Sequence, residues 1–124
     1  MLMAIDLKYI PFYWREWLDD DAVLRMTDRQ QIWYVRLLFK QAANGSLDDD
    51  DAVWWRGAHP QEVDPTCPEW ESFKLMVPTL FRKGKDGQLR HPKMTEVRNR
   101  SIALVESKKR AGKLGAETRW GTDG

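Results

Sequence analysis

The chain has little of what secreted and membrane proteins need. Its 124 residues include one cysteine, Cys67, so no internal disulfide can form, and this usage is typical of a reducing compartment. No segment approaches the roughly 20 consecutive apolar residues that cross a bilayer. The opening MLMAIDLK also lacks the long apolar stretch of a signal peptide. These absences predict a cytoplasmic protein that does not enter a membrane.

Catalytic signatures are missing as well. The sequence contains no G-x-S-x-G, no H-E-x-x-H, no phosphate-binding loop and no glycine-rich dinucleotide turn. A metal nuclease would need converging carboxylates beside a lysine, and in the basic half of the chain only Asp86 and Glu96 near Lys93 come close to that arrangement. Asp86 is better explained as a turn residue because Gly87 follows it. We therefore expect a protein that is not an enzyme and uses no cofactor.

Metal ligands are also few. His59 and Cys67 share one loop and His91 lies far along the chain, whereas a structural zinc site takes four ligands, usually in close pairs. Four aspartates occupy positions 48–51, but consecutive helical residues point about 100° apart and do not converge on one ion. The spacing of a calcium loop is absent. Carboxylates at a helix N-terminus complement its dipole, so residues 48–51 are interpreted as capping a helix, and no metal is expected.

The chain is organised around residues 27–43, which read as a central helix. Thr27 and Gln30 form a capping-box pattern at its start, and Asn44-Gly45 is a stop signal. Apolar residues cover most of the helix circumference, which predicts that it is buried nearly all round. A narrow basic edge remains, formed by Arg29, Arg36 and Lys40.

Other elements follow from local signals. Aromatic residues within 8–18 (Phe12, Tyr13, Trp14 and Trp17) are expected to form a lid over the core. A short helix is predicted at 49–56, with one of Trp54 and Trp55 in the core and the other near the surface. A helix at 68–80 starts at Pro68 and is expected to kink or end early near Pro78. Asp86-Gly87 predicts a hairpin with strands near 80–82 and 88–91, followed by a helix at 93–105.

This order predicts a mainly α fold with a small β-hairpin, a winged helix-turn-helix-like domain spanning residues 1–106. Residues 107–124 are predicted to be a basic, glycine-containing C-terminal tail that is frayed alone and orders on a partner. The alternative fold is a plain helical bundle with a longer basic loop.

Charge is divided unevenly along the chain. Residues 1–80 carry 8 Lys/Arg and 14 Asp/Glu, and residues 81–124 carry 12 Lys/Arg and 5 Asp/Glu, so the halves hold −6 and +7. Such a basic end indicates a polyanion partner, although a solvated tail that keeps the protein soluble would look the same. The predicted phosphate contacts are Arg82, Lys83, Lys85, Arg90, Lys108, Lys109, Arg110, Lys113 and Arg119. Trp120 either stacks on a base or anchors the tail to the body.

Several blocks along the chain resemble one family. They are Tyr9-Ile10-Pro11-Phe12-Tyr13 with Trp17-Leu18, Arg36-Leu37-Leu38, residues 45–50, Trp70, Phe81, residues 86–93, and the tail from Ser107 to Ala116 with Arg119-Trp120. In this order they resemble the YdaU-like family, a domain of unknown function found in phages and prophages. The resemblance implies a winged-helix module associated with the initiation of DNA replication.

Two functions therefore remain open. The first is a DNA-binding module that contacts phosphates through the hairpin and the basic C-terminus, with DNA strandedness undecided. In winged-helix docking the helix at 68–80 would read bases, but Glu69 and Glu71 open it and Lys74 is its only basic residue. The second is a protein–protein adaptor in a phage replisome, contacting a helicase or its loader through acidic and Trp-bearing surfaces.

Overall fold

A computed structural model describes residues 7, 9–61 and 63–120, and their side chains as far as Lys113. The fold is mainly α with a small antiparallel hairpin, as the sequence predicts. No helix in these ranges combines the length and the apolar character that crossing a bilayer requires. In chain order the elements are α1 (Trp14–Asp19), α2 (Asp21–Leu24), α3 (Asp28–Asn44), α4 (Asp51–Ala58), α5 (Pro68–Leu80), β1 (Arg82–Lys83), β2 (Leu89–Arg90) and α6 (Pro92–Trp120).

Both ends of α3 form as predicted. The Thr27 hydroxyl accepts from the Gln30 N–H at 3.2 Å, and the Gln30 Oε1 accepts from the Thr27 N–H at 3.0 Å. Gly45 ends the helix in the left-handed region (φ 89°), where its missing Cβ avoids strain. The prediction that α3 is buried nearly all round is wrong, since Ile32 and Phe39 are 52% and 45% exposed. Helices α4, α5 and α6 contact α3, but they leave this face open.

Aromatic rings on α3, α4 and α5 meet in the core. Trp33 meets Trp70 and Phe73 edge-on, with ring centroids 5.3 and 5.6 Å apart. Trp54 is buried and donates its indole N–H to the Asp48 carbonyl at 2.7 Å, whereas Trp55 is half-buried against Trp70. The predicted division between the two adjacent tryptophans is therefore confirmed.

The hairpin turns at Asp86-Gly87 as predicted, with shorter strands. Lys83 pairs with Leu89 and Arg82 with Arg90. Leu47 forms a bridge on the other side of Leu89, with N···O distances of 2.9 and 2.7 Å. A third extended segment, from the loop between α3 and α4, therefore flanks β2 and fixes the hairpin to the helices behind it.

Helix α6 is a single helix of 29 residues, about 43 Å long at roughly 1.5 Å per residue. The predicted end of this helix at residue 105 is wrong, because α6 continues to Trp120. The expectation that residues 107–124 fray alone and order on a partner stays a prediction. Good helix formers such as Lys, Arg, Glu, Leu and Ala surround two glycines that cost about 1 kcal/mol each. The domain boundary predicted at residues 106–107 falls inside α6. The burial of the side chains differs along this helix, since Val97 is buried and residues 106–113 are all exposed.

Candidate nucleic-acid interface

Two of the four predicted hairpin cations are engaged by the protein's own carboxylates. Lys83 Nζ lies 3.1 Å from Asp49 Oδ2. Arg90 forms a two-pronged pair with Asp86, at 2.7 and 3.1 Å. The hydrogen bond from Arg90 lowers the pKa of Asp86 to about 2, and Asp86 in turn raises the pKa of Arg90. The hairpin therefore offers less free positive charge than its sequence suggests.

Arg82 and Lys85 complete the hairpin set. Both side chains are exposed, and no carboxylate of the described residues lies within 4 Å of their charged groups. They remain available for an external anion.

The basic segment of α6, residues 106–113, carries the denser group of cations. Its members are Lys108, Lys109, Arg110 and Lys113. All four are exposed, and none forms an ion pair with a described carboxylate. They lie within about 8 Å along the axis and span about 200° around it, so they surround much of the helix. Arg119 and Trp120, which the sequence also nominates, lie beyond the described side chains.

The two groups of cations are separate. Lys108 is 16 positions beyond Pro92, where α6 leaves the hairpin, so about 24 Å of helix lies between them. Phosphate contacts at both would require a ligand that extends along α6.

A set of hydrogen bonds that the sequence reasoning missed attaches the first turns of α6 to α3. Gln41 is fully buried; its Oε1 accepts from the His91 N–H at 2.7 Å, and its Nε2 donates to Thr95 Oγ1 at 2.9 Å. Arg98 Nε donates to the Ala42 carbonyl at 2.8 Å. His91 Nδ1 accepts from the Met94 N–H at 3.3 Å. A glutamine on the apolar face of the central helix was the signal available in the sequence.

Helix α5 does not offer a basic reading face. Glu69 accepts from the Thr27 hydroxyl and pairs with Arg29 at 3.7 Å. Lys74, the only cation of α5, pairs with Glu71 at 3.1 Å and with Asp51 at 3.5 Å. These pairs agree with the sequence-based view that α5 is a poor helix for reading bases.

The aspartates at 48–51 cap a helix, as interpreted. The Asp50 side chain accepts from the Ala52 N–H at 2.9 Å, and Asp51 lies in the first turn of α4. Asp49 pairs with Lys83, which links this turn to the hairpin. Asp50 and Asp51 therefore act at the start of α4, while Asp49 and Asp51 also pair with distant lysines.

Comparison of the chain with protein-family models, with curated proteins and with solved structures gives no match. The resemblance to the YdaU-like family therefore stays a prediction.

Proposed function

We propose that the chain is a non-enzymatic nucleic-acid-binding module that contacts phosphates mainly through the basic segment of α6. One observation carries the proposal: the four cations of that segment are exposed on a helix that has left the core, and no described carboxylate pairs with them. A cluster of free cations on an exposed helix is an electrostatic footprint for a polyanion.

The physical basis is the release of counterions condensed on the phosphate chain. With four phosphate contacts, a tenfold rise in salt concentration lowers the affinity for a duplex by about 3.6 powers of ten. For a single strand the fall is about 2.8 powers of ten. Arg82 and Lys85 would add to this term if the ligand reaches the hairpin. Arg90 and Lys83 would contribute less, because they must first leave Asp86 and Asp49.

A winged-helix architecture is the finer part of the proposal. It is supported by the order of α3, the extended segment at Leu47, α4, α5 and the hairpin, together with the bridge between Leu47 and Leu89. That bridge places Leu47 next to β2 on the side away from β1, so the loop between α3 and α4 joins the hairpin. Combined with the family resemblance, this order supports a role in phage DNA replication.

The test measures fluorescence anisotropy of labelled single-stranded and duplex oligonucleotides at several salt concentrations between 50 and 200 mM. For four duplex contacts, the wild type is expected to lose about 100-fold in affinity across that range. Changing Lys108, Lys109, Arg110 and Lys113 together to alanine should remove most of this salt dependence. Alanine is the best helix former, so α6 is retained.

The matched control removes four exposed cations from the body of the protein and leaves the same net charge. They are Arg15, Arg25, Lys40 and Arg56, none of which pairs with a described carboxylate within 4 Å. The control should keep the salt slope of the wild type. Equal losses in both variants, or no salt-sensitive binding by the wild type, would overturn the proposal.

A further inference from the structure

A cavity of about 210 Å³ lies between the N-terminal segment, α1, α3 and the first turns of α6. Five of its twelve lining residues carry aromatic rings, with Trp17 stacked on Tyr34 at 5.1 Å and Phe12 at 5.5 Å from Trp17. Tyr13 and His91 complete the set of rings around it. The cavity is smaller than the roughly 300–1,000 Å³ typical of sites for drug-sized ligands, and its size suits the head of a single side chain.

The polar groups in this cavity include an unused carboxylate oxygen. Asp20 Oδ1 accepts from the N–H groups of Ala22 and Val23 at 2.8 and 3.2 Å, which caps α2. Asp20 Oδ2 accepts no hydrogen bond from the described residues. Burial, together with the Asp20 charge, raises the pKa of Tyr34, so the phenol stays neutral. Burial also lowers the pKa of His91, so the imidazole adds no positive charge at neutral pH.

The charge of the residues that line the cavity is negative overall. Glu16 and Asp20 line it together with Lys93. Lys93 Nζ is already shared between Glu16 at 3.8 Å and Glu96 at 4.0 Å. The same ammonium sits 4.7 Å from the centroid of the Tyr13 ring, so one wall of the cavity already holds a cation against an aromatic face. This charge disfavours a phosphate and favours a cation.

We infer that this aromatic pocket binds the guanidinium of an arginine side chain, presented by a basic peptide segment of a partner protein. A planar guanidinium stacks on exposed aromatic rings such as Phe12 and Tyr13, which line the cavity, and its fork of N–H donors matches a carboxylate such as Asp20. The acidic first 80 residues, with a net charge of −6, would attract such a segment. This site is independent of the phosphate contacts proposed on α6.

The test is an NMR titration of the ¹⁵N-labelled protein with the peptide acetyl-Gly-Ser-Arg-Ser-Gly-amide and with its citrulline analogue. Citrulline keeps the shape of arginine but is neutral. The arginine peptide is expected to shift the Trp17 indole N–H signal and to bind about tenfold more tightly than the citrulline peptide, since it adds a charged hydrogen bond.

Asp20→Asn is the informative variant, because asparagine is an equally good helix cap but carries no charge. It should abolish the difference between the two peptides. Asp28→Asn, an equal change of charge on an exposed carboxylate outside the cavity, should preserve it. Tyr13→Ala removes one aromatic wall at a side chain that is 40% exposed, and it should weaken the arginine peptide without unfolding the core.

Equal affinity for arginine and citrulline, or the same result for Asp20→Asn and Asp28→Asn, would overturn the inference. Adenosine monophosphate serves as a third ligand. Tighter binding of the nucleotide than of the arginine peptide at the Trp17 signal would also overturn it, because the pocket would then accept a base.

Discussion

Replacing Gln41 is expected to loosen the attachment of α6 to the body of the protein. The side chain is 0% exposed and joins α3 to residues 50 and 54 positions away. Its carbonyl oxygen is the acceptor for the His91 N–H at 2.7 Å, and its amide donates to Thr95 Oγ1 at 2.9 Å. No other acceptor for that N–H is present among the described contacts.

The expected loss of stability depends on which polar groups each variant leaves without a hydrogen-bond partner. Gln41→Met keeps most of the side-chain volume and removes the hydrogen bonds to the His91 N–H, the His91 carbonyl and Thr95 Oγ1. The His91 N–H then lacks an acceptor, which costs about 1–3 kcal/mol, whereas Thr95 keeps its bond to the His91 carbonyl at 3.0 Å. Gln41→Ala adds the cost of a cavity, so we expect a loss of about 3 kcal/mol or more in the free energy of unfolding.

Urea unfolding measures both losses of stability. Each should appear as a lower urea concentration at the midpoint, with the dependence of the free energy of unfolding on urea unchanged. Gln31→Ala is the control on the same helix: its amide makes longer bonds, 3.2 and 3.4 Å, to the carbonyls of Val23 and Met26. It should lose about 1 kcal/mol. The prediction is refuted if the free energy of unfolding of Gln41→Met lies within about 0.5 kcal/mol of the wild-type value, which is about the contribution of one weak hydrogen bond.

Two further predictions concern charge. Burial lowers the pKa of His91, so the unfolded chain binds a proton at this residue more readily than the folded chain does. The contribution of neutral His91 to the free energy of unfolding is therefore at its full value above pH about 6.5, and it declines as the pH falls below that value. Thermal denaturation between pH 7 and 5.5 measures this decline in stability. The decline should be smaller in His91→Asn and unchanged in the control His59→Asn. The same dependence of stability on pH in His91→Asn as in the wild type would contradict the prediction. Asp86→Asn keeps the turn and releases Arg90, so, given the proposed function, the salt slope on duplex DNA should steepen by up to about 0.9. Anisotropy titrations measure it, and an unchanged slope would mean that Arg90 does not reach the ligand.

Features held by contacts within a few residues were predictable from the sequence. The capping box at Thr27 and Gln30, the cap at Asp50 and the hairpin turn at Asp86-Gly87 each close over two to four positions. Their partners are therefore fixed by spacing and backbone geometry alone. The open face of α3 at Ile32 and Phe39 was not predictable, because the apolar pattern of a helix does not say how many neighbours cover it.

The helix caps, the turn and the positive charge after residue 80 follow from the amino-acid sequence, because they need no knowledge of distant neighbours. Which of those charges pair with carboxylates depends on how the chain folds. Asp49 reaches Lys83 across 34 positions, while Lys108 and its neighbours on α6 form no ion pair with a described carboxylate. The aromatic pocket around Asp20 likewise exists only because α1, α3 and α6 meet there, since chain folding brings its walls together from positions 11 to 97.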